Sequence, residues 1–407
     1  MDLILRNARL ASDTTRLTDI GVAGGKIVAL APNLAAEAET LDAGGRLVSP
    51  GFVETHLHLD KACILDRCAA EGDLGAAIRE VTRLKAAFTA QDVYDRARRT
   101  LERCILNGTT HVRAHLEVDP GIGLRGLDGV LPLVREYAWA VDLEICIFPQ
   151  EGMLNNPGTE ALMVAALRRG GNLIGACPYT DTDPHGQIDR IFALAQEFDV
   201  DIDMHLDFDL DPDKMDLTYV CRRTEELRYG GRVAAGHVTK LSVLDADAFA
   251  AAASRLRSAG VALTVLPSTD LFLMGRSGAN KGARGVTPAH RLLTHGVNCS
   301  LATNNMLNPF TPFGDGSLIR MANLYANVCR AASAAEVAEC FAMITTRAAA
   351  LMNRRRYGIA VGNDADLVVL DCESTQAAVR ELAPVLHAFK RGRRTVTRPP
   401  AVLHRPG

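Results

Sequence analysis

Two histidines near residue 57 are the first residues whose type and spacing suggest chemistry. His56 and His58 follow an apolar run that ends at Val53. Side chains at i and i+2 of a β-strand project from the same face, so both imidazoles are expected to point to one place. Converging imidazoles are typical ligands of Zn²⁺ or Fe²⁺. An inert pair on a polar strand face fits the same spacing, so the interpretation depends on the other strand ends.

Further histidines follow apolar segments later in the chain. His205 ends the segment 201–205, and His237 follows the segment 233–236. A single histidine of this kind is commonly a hydrogen-bonded core residue. Four histidines at the same ends of three strands favour one shared site, and the sequence therefore predicts a metal centre there.

The segments around these histidines alternate between apolar strands and amphipathic helices. Repeated strand–helix units predict an α/β protein with a (β/α)₈ TIM barrel, whose functional residues lie at the carboxyl ends of the strands. An open, doubly wound sheet is the alternative, but no Gly-x-Gly-x-x-Gly turn opens the first helix. The eight predicted strands are Leu47–Val53, His111–Leu116, Leu143–Phe148, Leu173–Ala176, Asp201–His205, Val233–Gly236, Ala262–Leu266 and Asn298–Ala302.

Both ends of the chain have a different pattern, in which short strands alternate with tight turns. Gly24-Gly25 lies between apolar runs and indicates a hairpin, and the segment 366–370 has the composition of a buried strand. We therefore expect both termini to be all-β.

The composition narrows the class of protein. Of the 407 residues, 48% are hydrophobic and 23% are charged, and the net charge is −3, which is typical of a globular protein without a nucleic-acid footprint. We expect no membrane span and no signal peptide. Ten cysteines without a Cys-x-x-Cys pair favour reduced thiols and a cytoplasmic protein. The expected partner is a small molecule, and a homo-oligomer is left open.

Taken in chain order, the residues at the strand ends resemble those of the amidohydrolase superfamily of metal-dependent hydrolases. The resemblance is to the bacterial cytosine deaminase and triazine-ring amidohydrolase group in particular. The resemblance runs along nearly the whole chain. It implies that residues 1–49 and 354–407 form one small composite β-sandwich beside a barrel of residues 50–353. The matching segments are Pro50–Asp60, His111–His115, Phe148–Gly152, Phe192–Gln196 and Tyr357–Gly362.

The same resemblance implies the roles of individual residues. The implied reaction is hydrolysis of a non-peptide C–N bond in a small nitrogen heterocycle, with His237 stabilising the developing oxyanion. Gln150 and Lys61 position the ring. One Zn²⁺ or Fe²⁺ is held by His56, His58, His205 and the residue at the end of strand eight, here Asn304.

Two positions depart from the family pattern. Asn304 stands where an Asp is usual, and an amide can offer a carbonyl oxygen to a metal but cannot act as a base. Phe208 stands where cytosine deaminases have a Glu that handles protons on the substrate ring. Both proton-handling carboxylates are therefore missing, which argues against a literal cytosine deaminase.

Three interpretations fit these departures. In the first, another acid transfers the proton, with Asp207 as the first candidate and Glu151 as a second. In the second, the protein binds metal and ligand but turns over very slowly or not at all. In the third, Asn304 marks a hydrolase subgroup that acts on a cyclic amide or amidine by its own proton route.

The segment after Asn304 favours a divergent hydrolase. It is rich in turn residues and aromatics, which is typical of an active-site loop. We expect Phe208, Asn305 and Phe310 to line the substrate.

Overall fold

Two eight-stranded sheets organise the protein, one of them a parallel barrel and the other built from both chain ends. The computed structural model describes residues 1–35, 37–69, 72–276 and 282–405. The strands are β1 (Leu3–Leu10), β2 (Asp13–Ala23), β3 (Lys26–Ala31), β4 (Glu39–Asp42), β5 (Leu47–Pro50), β6 (Phe52–Leu57), β7 (Thr109–Glu117), β8 (Asp142–Phe148), β9 (Leu173–Ile174), β10 (Asp201–Leu206), β11 (Val233–His237), β12 (Val261–Val265), β13 (Cys299–Leu301), β14 (Leu367–Leu370), β15 (Val385–Lys390) and β16 (Arg393–Thr397).

Helices follow most of the barrel strands. In the described residues they are α1 (Leu74–Lys85), α2 (Ala90–Leu106), α3 (Arg125–Glu136), α4 (Thr159–Arg169), α5 (Pro184–Phe198), α6 (Leu217–Glu226), α7 (Ala246–Ala259), α8 (Pro267–Leu273), α9 (Ala289–Thr294), α10 (Leu318–Cys329), α11 (Ala334–Ala342), α12 (Thr346–Leu351) and α13 (Thr375–Arg380). None of the helices in these residues is long and apolar enough to cross a membrane.

The parallel sheet runs in chain order from β6 to β13, which confirms the predicted (β/α)₈ barrel. Asn304, three residues beyond its last strand, closes the barrel. The backbone N–H of Asn304 donates to the His56 carbonyl at 2.8 Å, and the N–H of His58 donates to the Asn304 carbonyl at 2.8 Å. The end of strand eight is thereby fixed against the end of strand one.

The first predicted barrel strand, Leu47–Val53, is wrong as a single strand. β5 pairs with β14 in the terminal sheet, whereas β6 begins the barrel. Gly51 lies between them, and a Cβ there would come within 2.3 Å of the Thr110 side chain. Glycine therefore lets the backbone pass close to β7, and an apolar run alone does not reveal that the chain changes sheets there.

The second sheet joins the two termini. β1 pairs with β2 antiparallel and with β4 and β5 in parallel, and β5 then pairs with β14. Its apolar face forms a separate core, in which Leu5, Val48 and Leu367 are completely buried. Residues more than 300 positions apart in sequence therefore share one core.

The helix α2 shows how the sequence covers the barrel. Val93, Ala97, Leu101 and Cys104 recur every three or four residues and are fully buried, so they form one apolar face. The Thr89 side chain accepts a hydrogen bond from the Asp92 N–H and caps the helix. This packing holds β7 from outside and leaves the strand ends to form the site.

Candidate active site

Three imidazoles meet at the carboxyl ends of strands one and five. The Nε2 atom of His205 lies 3.1 Å from Nε2 of His56 and 3.0 Å from Nε2 of His58. Nδ1 of His58 lies 3.1 Å from the His115 carbonyl oxygen, which only accepts, so Nδ1 carries the proton and Nε2 carries the lone pair. The predicted convergence of these histidines is therefore present.

The protonation of these imidazoles suits a metal ion. Burial is the main cause that holds the pKa of His56, His58 and His205 well below the ordinary histidine value. Neutral imidazoles are the form that binds a cation. Three imidazole nitrogens directed at one point make poor hydrogen-bond partners for each other. The donor set therefore fits a divalent ion.

Asn304 adds an oxygen beside these nitrogens. Its φ of 62° places it in the left-handed region, and its backbone is hydrogen-bonded to His56 and His58. The side-chain Oδ1 is buried without a hydrogen-bond partner among the described residues. An unpaired buried carbonyl costs about 1–3 kcal/mol, so this oxygen fits a cation ligand.

His237 is held by a carboxylate that the sequence analysis missed. Its Nδ1 lies 2.6 Å from Oδ1 of Asp270, on helix α8, and both side chains are buried. The other oxygen of Asp270 accepts the Leu266 N–H at 3.2 Å. The one available signal was a lone acid in the short segment after strand seven.

Phe208 packs against His237 rather than leaving a gap. The two rings stack with centroids 3.7 Å apart and an interplanar angle of 17°. Phe208 is itself 4% exposed. It therefore covers one face of the imidazole and restricts its rotation.

Strained backbone accompanies these groups. Asp207, His237, Val238 and Asn304 all have positive φ, between 45° and 69°. Such residues cost about 1–3 kcal/mol each and persist only where neighbours hold them. Here the Val238 N–H donates to the Leu206 carbonyl at 3.0 Å, so strand five holds the turn after strand six.

The structure gives Asp207 a structural role. Its two carboxylate oxygens accept the N–H groups of Asp216, at 2.9 Å, and Leu217, at 3.0 Å, where α6 begins. Burial raises the pKa of Asp207 to about 6, but both oxygens are occupied by backbone. The predicted proton transfer by Asp207 therefore finds no support in this geometry.

Lys61 belongs to a buried chain of charges. It donates to Glu117 and, at 3.1 Å, to Oε1 of Gln150. Lys85 contacts the second Glu117 oxygen at 3.1 Å and also contacts Asp119 and Glu151. Burial alone would raise the pKa of Glu117, but the two ammonium groups lower it to about 2. Lys61 and Gln150 are thereby held together, while Glu151 is engaged by Lys85.

The loop after strand eight is tied to Lys61. Asn308 donates through Nδ2 to Oδ1 of Asn305, at 2.6 Å, and to the Lys61 carbonyl, at 3.2 Å. The Phe310 ring lies 4.9 Å from Nζ of Lys61. Asn305 is thus engaged inside the loop, whereas Phe310 lies beside the lysine as expected of a residue near the ligand.

A second group of buried residues lies directly behind the three converging imidazoles. The His115 ring stacks on His56 with centroids 3.6 Å apart. Oδ1 of Asp203 lies 3.9 Å from Nδ1 of His56 and 3.5 Å from Nε2 of His115, while its Oδ2 accepts from Arg113 at 2.6 Å. The contacts of these residues join three strands, so their supporting role could not be predicted from sequence spacing.

The fold and the site together define a class of protein. It is a parallel barrel whose strand ends hold three neutral imidazoles next to a histidine–carboxylate pair and a buried lysine. Such a donor set suits metal-assisted hydrolysis.

Comparison with known families agrees. Residues 39–129 and 139–396 match the family described as "Amidohydrolase family". The chain belongs to this family and is a hydrolase that acts on carbon–nitrogen bonds, so the resemblance is confirmed.

Individual relatives are similar along most of the chain. The N-isopropylammelide isopropyl amidohydrolase of Pseudomonas sp. strain ADP is 28% identical over 402 residues, 96% of each protein. The pterin deaminase of Rhizobium rhizogenes is 29% identical, over 88% of this chain and 83% of its own. A crystal structure of 5-methylcytosine deaminase from Klebsiella pneumoniae superimposes with a TM-score of 0.94 at 28% identity and covers 99% of both chains.

Proposed function

We propose that this protein uses one divalent metal ion to hydrolyse a non-peptide C–N bond in a small nitrogen heterocycle, by deamination or by cleavage of a cyclic amide or amidine. The convergence of Nε2 from His56, His58 and His205 carries the proposal. Nitrogen and oxygen donors of this kind suit Zn²⁺ and Fe²⁺ alike.

The relatives support the substrate class. Their names specify N-isopropylammelide, pterin and 5-methylcytosine, all of which are small nitrogen heterocycles. The ring that this chain accepts is expected to be equally flat, because the aromatic side chains Phe148 and Phe310 flank the ammonium group of Lys61.

Different residues of the site have different tasks in the proposed reaction. A bound divalent metal would supply a water nucleophile at neutral pH and polarise the electrophilic carbon. Lys61 has donors for a ring carbonyl or ring nitrogen, and Gln150 lies beside it to fix the orientation of the ring. His237 offers the imidazole that handles a proton, and burial of the whole group excludes competing water.

A second candidate is a family member that binds metal and ligand without appreciable turnover. Asn304 favours it, because its amide cannot act as the base at the end of strand eight. The two candidates differ in turnover and not in metal content.

The test combines metal analysis with turnover. Purified protein grown with zinc and iron is expected to carry about one ion per chain and to release ammonia from an aminated pyrimidine, triazine or pterin, or to open a cyclic urea. His205→Asn is expected to lose both the ion and at least about 10³-fold of the rate. The exposed His185→Gln serves as the matched control and is expected to keep both.

Two results would contradict the proposal. A wild-type protein without metal near the three histidines removes its basis. A metal-loaded protein that turns over none of these substrates supports the second candidate.

A further inference from the structure

We propose that His237 transfers the proton in this site and that Asp270 is its positioning residue, in place of a carboxylate at the end of strand eight. The inference rests on the proposed function, because it concerns the proton that C–N hydrolysis must move. The amide of Asn304 cannot transfer this proton, and the proposal assigns the transfer to an imidazole that a residue on α8 holds in position.

The hydrogen bond between His237 and Asp270 is short and sets the tautomer of the imidazole. At 2.6 Å, the contact between Nδ1 of His237 and Oδ1 of Asp270 is the shortest imidazole–carboxylate contact in the described residues. A carboxylate can only accept, so Nδ1 carries the hydrogen and Nε2 keeps its lone pair. Asp270 thus selects the tautomer that a base needs, and its charge stabilises the imidazolium.

The imidazole ring of His237 is also held in a fixed position. Phe208 covers one face, and the positive φ of His237 and Val238 sets its direction. The imidazole centroid lies 5.6 Å from that of His205 and 6.1 Å from that of His56. Nε2 has no hydrogen-bond partner among the described residues, so it remains available at the metal ligands.

Four other buried carboxylates near the site are already engaged by neighbouring groups. Asp207 accepts two backbone N–H groups, and Glu117 is held between two lysines. Asp203 is paired with Arg113, and Glu54 accepts the N–H groups of Thr303 and His56. Asp270, by contrast, is hydrogen-bonded to the imidazole of His237, which lies beside the proposed metal ligands.

The proton balance is complete without another reactant. A proton of the attacking water passes to Nε2 of His237 as the new C–O bond forms. The same proton passes from Nε2 to the departing nitrogen as the C–N bond breaks, and the electron pair of that bond stays on the nitrogen. His237 ends neutral, and Asp270 stays ionised throughout.

Kinetics of Asp270 variants test the inference. Asp270→Asn keeps the volume but can donate to Nδ1, which favours the wrong tautomer. We expect kcat to fall by about 10²–10⁴-fold while KM and metal content stay near wild type. Asp270→Ala is expected to show the same fall in kcat with an unchanged KM, because Nδ1 of His237 then has no fixed hydrogen-bond acceptor.

A double variant tests whether a carboxylate on strand eight can restore the lost rate. Asn304→Asp in the Asp270→Asn background returns a carboxylate to strand eight and is expected to restore at least about tenfold in kcat. Asp189→Asn, on α5 near Tyr219, is the matched control and is expected to leave kcat unchanged. A near-wild-type kcat in both Asp270 variants would overturn the inference.

Nitrogen-15 NMR of the metal-free protein gives a readout independent of turnover. We expect His237 to show an Nδ1–H proton far downfield that disappears in Asp270→Ala and in His237→Gln. If the wild-type protein turns over no substrate, the proposed function fails, and this spectrum decides the role of Asp270 alone. An Nε2–H tautomer in the wild type overturns that role.

Discussion

Asn304 performs two tasks through different atoms. Its backbone N–H and carbonyl close the barrel against His56 and His58, and any residue that tolerates positive φ can do this. Its side-chain oxygen is buried and unpaired, which only an amide or a carboxylate can supply at this size. The change from Asp to Asn thus alters charge and basicity and leaves the shape of the site intact.

Asn304→Asp separates these tasks. We expect metal affinity to rise by about tenfold, because a carboxylate adds a negative charge to the ligand set. In the otherwise wild-type protein we expect no gain in kcat, because we propose that the His237–Asp270 pair handles the proton. Competition with a chelator and steady-state ammonia release measure the two effects. A large gain in kcat would show that strand eight lacks its base.

Asp207 is expected to matter for stability rather than for chemistry. Asp207→Ala leaves the Asp216 and Leu217 N–H groups without their acceptor, which should reduce the free energy of unfolding by about 1–3 kcal/mol. The rate per folded, metal-loaded molecule should change little. Urea unfolding and active-site-normalised kinetics test this, and a stable variant without activity would restore Asp207 to the mechanism.

At the scale of elements, buried charge links α1 to the barrel strands. Lys85 at the end of α1 and Lys61 after β6 share Glu117 at the end of β7, and all three side chains are about 2% exposed. Each ion is paired, which is the condition under which buried charge is tolerated. The network therefore fixes the positions of Lys61 and Gln150, the residues that we propose to hold the substrate ring.

Glu117→Gln tests this network through pH. The folded pKa of Glu117, about 2, lies below its ordinary value of 4.5, so its contribution is present above pH 4.5 and is lost as the pH falls toward 2. The variant should be less stable than the wild type at pH 7, by about 3 kcal/mol. The difference should narrow as the pH falls below 4.5.

Urea unfolding between pH 7 and pH 3.5 measures that difference. Glu80→Gln, which removes an exposed pairing with Arg83 on α1, is the control and should show little difference at any pH. A gap between Glu117→Gln and wild type that stays constant with pH would contradict the assignment.

For the whole molecule, one lysine joins the terminal sheet to the barrel. Lys390, at the end of β15, is 2% exposed, and its Nζ contacts the Thr110 carbonyl at 3.0 Å. The same group lies 2.8 Å from Asp142 and 2.7 Å from Asp366. These contacts hold the composite sheet against the amino-terminal end of the barrel, opposite the site.

Lys390→Met is therefore expected to destabilise the whole protein. Removing the ammonium group leaves the buried carboxylate of Asp366 without its charged partner, which should reduce the free energy of unfolding by about 3–5 kcal/mol. Activity per folded molecule should stay the same, because the change lies at the far end of the barrel. Lys390→Met combined with Asp366→Asn should recover part of the loss, and the exposed Lys26→Met should have little effect. Equal stability of Lys390→Met and wild type would contradict this role.

The sequence by itself determined which strand ends carry histidine and in what order. His56, His58, His205 and His237 were found because strand period and strand order are local properties of the chain. The barrel followed from the same alternation, since each strand and helix is specified by its own apolar pattern. The break at Gly51 did not follow, because the run from Leu47 to Val53 is apolar on both sides of it.

Only the tertiary structure decided what each buried polar group faces. Asp207 and Asp270 are both acids near strand ends, and nothing in their spacing separates them. Packing turns Asp207 to the start of α6 and brings Asp270 across 33 positions to His237. A buried carboxylate acts through the partner it meets, and that partner is set by which elements pack together rather than by distance along the chain.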